Sequence, residues 1–170
     1  MTSEEQYEQY LLLHRGFSET YSRVYKQVMD FYPLPQQFIR DATPEIDGYV
    51  ECFWEHKNDP HEDDSFRDLV FFANNFQAFT LHANHVFNEY KELHGESDRY
   101  IKTIFRLKEK QLTDVSEYAH LVPVLNKLIT GFQQVKQKTD EAAKRLRQLQ
   151  ADWGCIKEKM NHGGPPIQSL

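Results

Sequence analysis

His82, His85 and Glu89 stand at intervals of three and four in the stretch LHANHVFNEYKELHG, residues 81 to 95. Donors at that spacing share one face of a helix. Such a face could supply half of a metal site, because helical proteins build carboxylate and histidine centres from side chains that project into a common core, often with Glu-x-x-His on facing helices. The chain has one Glu-x-x-His, formed by Glu117 and His120. Register argues against both candidates. With Ala83, Val86 and Tyr90 as core positions, His82, His85 and Glu89 each precede a core position and are turned from it by about 100°. Tyr118, the core position of the other pair, has Glu117 and His120 on its two sides. Ligands must enter the core, and these flank it. His14 does fall on a core position, but a single histidine among aromatics packs and hydrogen-bonds. No metal and no cofactor is expected.

Other chemistry has less support. There is no glycine-rich phosphate loop, no Gly-x-Ser-x-Gly elbow and no local Cys and His pairing. Cys52, beside Phe53 and Trp54, is expected to pack. The aromatic stripe Phe71, Phe72, Phe76 and Phe79 reads as core in preference to a ligand groove. The sequence therefore predicts no catalytic residue and a protein that is not an enzyme.

Charge and cysteine content narrow the partners. Twenty Lys and Arg against 26 Asp and Glu give a net charge of -6, without the basic excess that phosphate neutralisation needs, so nucleic acid is not an expected partner. Two cysteines are too few for a disulfide framework or a thiolate zinc site, and no glycosylation sequon occurs, which fits a reducing compartment. No apolar run is long enough to span a bilayer and the first residues lack a signal-peptide pattern, so membrane insertion is not expected and a cytoplasmic location is. Residues 41 to 68 are strongly acidic and residues 126 to 160 basic, as expected of helices that complement one another.

The elements that would carry these residues are helices. Tyr7, Tyr10, His14, Phe17, Tyr21, Val24, Val28 and Phe31 recur at three and four and predict a helix from about Ser3 to Tyr32, stopped by the prolines at 33 and 35. After a short helical piece holding Phe38 and Ile39, a second helix is expected from Thr43 as N-cap with Pro44 in its first position, burying Ile46, Tyr49, Val50, Phe53 and Trp54. A third starts at Ser65, three residues before Asp68 in a capping-box arrangement. It carries Leu69, Phe72, Phe76, Phe79, Ala83, Val86, Tyr90 and Leu93, and ends at His94 and Gly95. A shorter helix holds Ile101, Ile104, Phe105 and Leu107.

The last helix is expected from about Thr113 to Met160, with a seam of Val115, Tyr118, Val122, Leu125, Ile129, Phe132, Val135, Thr139, Ala142, Leu146, Leu149, Trp153, Ile156 and Met160. Two spacings of three in succession at Phe132 suggest a stammer, and Pro123 either kinks the helix or marks its start. The fold expected is all-α, an elongated antiparallel helical bundle or coiled coil with a long C-terminal helix, as one domain over 1–162 followed by a flexible tail, 163–170. A helix of that length spans about 72 Å, against roughly 40 Å for a compact globule of this size. Its distal seam, Leu146, Leu149, Trp153, Ile156 and Met160, is thus expected to bind a partner helix.

Two stretches resemble the family of dynactin's small shoulder subunit: YKQVMDFYPLPQQFIRDATPEID, residues 25 to 47, and DVSEYAHLVPVLNKLITGFQQVKQKTDEAAKRLRQLQADWGCIKEKM, residues 114 to 160. The first resembles that family's helix ending in an aromatic, with its proline turn and acidic second helix. The second resembles the closing helix, with a Trp near its end followed by Cys. The family's own N-terminal helix has no counterpart here. The resemblance implies a non-enzymatic structural subunit, cytoplasmic and cytoskeleton-associated, that packs with dynamitin and the large arm subunits as an obligate hetero-oligomer in dynein-driven transport. The alternatives are a subunit of another helical complex, kinetochore or vesicle tether, or a metal- or ligand-binding helical bundle.

Overall fold

A computed structural model of the protein describes residues 2–109 and 116–163, with side chains through residue 161. The elements are α1 (Ser3–Phe31), α2 (Pro33–His56), a 3-10 turn (Pro60–Glu62), α3 (Asp64–Glu109), the short α4 (Ser116–Ala119) and α5 (Val122–Gly163). Among the described residues there is no strand, so the all-α expectation holds. Among the described residues no helix is long and apolar enough to cross a membrane. Thr113 and Val115, expected in the last helix, and the tail from residue 164 lie outside the described residues.

The helix ends show which local chemistry sets them. Thr2 Oγ1 accepts the Glu5 amide at 3.1 Å while Glu5 Oε2 accepts the Thr2 amide at 3.2 Å, a reciprocal capping box that opens α1. α1 and α2 are separated by Tyr32 alone, which keeps right-handed helical dihedrals (φ -56°, ψ -38°) with Pro33 taking the first position of α2. The residue before a proline is usually pushed toward extended geometry, and Tyr32 is not. Nor does a second helix start at Thr43: Pro44 lies inside α2, where it costs one backbone hydrogen bond to the Arg40 carbonyl. α3 opens on Asp63, not on Ser65. The Asp63 carboxylate accepts the Ser65 amide at 2.9 Å and its carbonyl accepts the Arg67 amide at 3.1 Å, and an anionic cap is favoured at the positive end of a helix.

Two longer-range expectations also change. α3 does not stop at His94 and Gly95 but runs on for 46 residues, absorbing the short helix expected after them. Pro123 marks the start of α5, one residue inside it, with α4 and a turn before it. In α5 and the turn residue Leu121 just before it, the buried positions are Leu121, Leu125, Leu128, Phe132, Val135, Thr139, Ala142, Leu146, Leu149, Trp153 and Met160, with Ile156 partly buried. Leu128 is fully buried and Ile129 only partly, so the spacing alternates three and four throughout and the expected stammer is absent.

Within the stretch expected to form one domain, 1–162, the contacts fall into two compact units, Met1–Asp30 with His85–Thr139 and Phe31–Asn84 with Asp140–Leu170. In the first, α1, the second half of α3 and the first half of α5 bury Tyr10, Phe17, Val24, Val28, Tyr90, Tyr100, Ile104, Leu125, Leu128, Phe132 and Val135. Phe132 is the centre, its ring 5.5 Å from Tyr21 and 6.3 Å from both Phe17 and Tyr90. In the second, α2, the first half of α3 and the second half of α5 bury Phe38, Ile46, Phe53, Phe66, Leu69, Phe72, Phe76, Phe79, Leu146, Leu149, Trp153 and Met160. Each such side chain fully buried contributes about 1.5–3 kcal/mol.

Candidate functional site

Of the residues singled out for metal chemistry, His85 and Glu89 are held in ion pairs. Ala83, Val86 and Tyr90 are buried and His82, His85 and Glu89 flank them, as their register requires. The Glu89 carboxylate receives Lys138 Nζ at 2.9 and 3.0 Å and His85 Nε2 at 3.0 Å. It works as a bridge between α3 and α5. Glu117 lies in α4, and His120 in the turn that follows it.

The core histidines are bound to tyrosines. His14 Nδ1 lies 2.6 Å from the Tyr100 hydroxyl, which is 3.4 Å from that of Tyr10. Burial, with Lys108 nearby, lowers the pKa of His14 and so favours the neutral ring; burial likewise raises Tyr10 and Tyr100. One helical layer away, the Tyr21 hydroxyl pairs with His94 Nδ1 at 2.8 Å. The Tyr90 hydroxyl is buried beside it, near that of Tyr21 but without closing a hydrogen bond of ordinary geometry, and burial pushes it up to about 12. Sequence periodicity placed His14, Tyr10, Tyr21 and Tyr90 in the core but not Tyr100 or His94, and it could not pair the rings, because the partners are far apart along the chain.

The expected partner seam is covered by the chain itself. Leu146, Leu149, Trp153 and Met160 are buried and Ile156 is packed against the same core. The Trp153 indole stacks on Phe72 with centroids 5.1 Å apart and an interplanar angle of 17°, and takes the edge of Tyr49 at 5.8 Å. Lys157 lies over the indole at 5.6 Å while pairing with Glu45 at 3.4 Å, and Lys159 reaches Asp68 at 3.9 Å. α3, at 46 residues, is longer than the 42-residue α5 and supplies cover that helix length alone had assigned to a second chain. A partner could take Leu146, Leu149 and Met160 only by displacing α2 or α3, whereas Ile156 is partly open at the groove between α3 and α5.

Two aromatic assignments are corrected with it. Trp54, expected in the core, is 52% exposed, held by edge contacts to His61 and Phe66. Phe71, read as part of a core stripe, is 70% exposed, whereas Phe72, Phe76 and Phe79 are buried. Cys52 is buried as expected and Cys155 is exposed.

One open surface lies on the outer side of α3. Residues 69–88 hold no Asp, Glu, Lys or Arg in a chain of which 27% is charged, and Leu81, 66% exposed, shares that side with Phe71. This run was legible in the sequence, but the core periodicity running through it took up its aromatics. Beside Phe71, Asp68, Asn75, Asp152, Cys155 and Lys159 line an open groove of about 320 Å³ between α3 and α5. A wider groove of about 630 Å³ between the same helices is edged by Glu89 and Glu96, which are paired with Lys138 and Lys127. These are open surface furrows with several of their charges already paired; they suit side chains of another helix better than a bound small molecule. In comparisons with known proteins, no family model matches the chain, and neither a curated protein nor a solved structure is similar to it.

Proposed function

We propose that this chain is a non-enzymatic structural subunit of a cytoplasmic, cytoskeleton-associated helical assembly, its helices forming an antiparallel coiled coil of the kind expected in the shoulder of dynactin. The observation that carries the reading is the unbroken three and four spacing of buried residues from Leu121, just before α5, to Met160, matched in α3 from Leu69 to Ile104 with Leu93 partly buried. Sustained spacing of this kind is the pattern of coiled-coil seams. It is supported further by how the part-buried polar groups are used, since His14, His94 and Glu89 bind other side chains of the same chain.

The test is recovery of the full chain from native extract with its bound proteins identified by mass spectrometry. Stoichiometric dynamitin and large arm subunit are the expected result. Kinetochore or tethering subunits in their place would move the chain to another helical complex. About one zinc or iron per purified chain, lost on replacing His85 and Glu89, would remove the structural reading altogether.

A further inference from the structure

The outer face of α3 in the second unit is uncharged, apolar at two points and arranged with internal symmetry. Phe71, Asn74, Ala78 and Leu81 are all exposed and follow one another at spacings of three, four and three, which places them in one stripe on the side opposite the buried Leu69, Phe72, Phe76 and Phe79. The order is large, small, small, large. Reversed, it has the same spacing and the same order of sizes.

We propose that this stripe is a self-association surface on which two copies of the chain pair α3 against α3, antiparallel, about a two-fold axis near Phe76. An isologous contact needs a patch complementary to itself, with residue i on j and j on i. Here Phe71 of one copy meets Leu81 of the other, and Asn74 meets Ala78. The small pair lies at the crossing, where it lets the helices approach to about 8–10 Å. Charge selects a second copy as the occupant. With a net charge of -6, two copies repel wherever carboxylates meet, and α2 presents Asp47, Glu51 and Glu55 exposed in a row. Residues 69–88, without any formal charge, are where a copy can approach without that penalty, and depletion of charge with exposed aromatics is the compositional mark of an interface core. Three turns of one helix per copy cover less than the roughly 800 Å² per partner of a standard interface, so the pairing is concentration-dependent. It does not depend on which assembly the chain serves.

Sedimentation equilibrium of the full chain over a wide concentration range tests it. The wild-type chain is expected to pass from monomer to dimer, and Phe71→Glu and Leu81→Lys each to weaken that step about tenfold or more, because each leaves a charge facing an apolar side chain. Both positions are largely exposed, so circular dichroism of the variants should match the wild type. Mixing the two variants should restore dimer mass, since antiparallel pairing sets the carboxylate introduced in one against the ammonium introduced in the other. A wild-type chain that stays monomeric throughout overturns the proposal, as does dimerisation untouched by Phe71→Glu; failure of the mixture to associate overturns the antiparallel register.

Discussion

The aromatic core of the first unit contains polar groups of two kinds, and they should respond oppositely to substitution. Tyr100 is 2% exposed and its hydroxyl is bound to His14. Tyr100→Phe leaves that ring nitrogen without a partner and should cost about 1–3 kcal/mol, the usual result of orphaning a buried polar group. The Tyr90 hydroxyl has no partner to lose, so Tyr90→Phe should leave stability unchanged within about 0.5 kcal/mol or improve it. Urea titration of both variants separates the two cases, and equal losses would refute the assignment. His14 adds a pH dependence. Burial lowers its pKa in the fold from 6.5, so as pH falls the unfolded chain takes up a proton before the folded one does. Stability is therefore full above the unfolded value, declines as pH drops through it, and levels off below the lowered folded value. Denaturant midpoints measured from about pH 7 to about pH 5 should fall more steeply for wild type than for His14→Phe; parallel curves would remove His14 as the source.

At the scale of elements, seam membership was legible in the sequence, and of the helix ends those of α1 were read whereas the start of α2 and both ends of α3 were not. Leu69 to Leu93 in α3 and Tyr7 to Phe31 in α1 could be read because burial follows spacing directly. Gly95 was taken as a stop because glycine usually marks helix ends, yet α3 continues through it, since Ser97, Tyr100 and Ile104 carry the buried spacing onward. Packing overrides a local cost of about 1 kcal/mol. The same reason explains Pro44 inside α2. Gly95 can therefore be improved: an added Cβ meets nothing within 4 Å, and Gly95→Ala should stabilise by about 0.5–1 kcal/mol. Gly131 differs. Its Cβ would lie 2.7 Å from a Leu93 methyl, so Gly131→Ala must push Leu93 aside and should lose most or all of that gain. Thermal melts showing Gly131→Ala to be the more stabilising of the two would contradict the close approach of α5 to α3 at Leu93.

For the molecule as a whole, the consequence of two cores is that each must be stabilised by its own residues, although α3 and α5 contribute to both. Trp153 is the sharpest test. Stacked on Phe72, edged by Tyr49 and roofed by Lys157, it is 4% exposed and belongs to the second unit. Trp153→Ala should destabilise the isolated chain by about 3–5 kcal/mol, the range for truncating a buried large aromatic. Leu149→Asp, which places an unpaired carboxylate in the same core, should do at least as much harm. Hydrogen exchange should report the damage first in amides of α2 and of the adjoining parts of α3 and α5, while amides around Phe132 lose less, because local opening follows the contacts that are removed. This outcome also separates an internal seam from a partner seam. If Trp153 served a partner, its truncation would abolish co-purification and leave the melting of the isolated chain unchanged. Contacts within the chain require the opposite order: melting falls for the isolated chain, and any loss of partners follows from it.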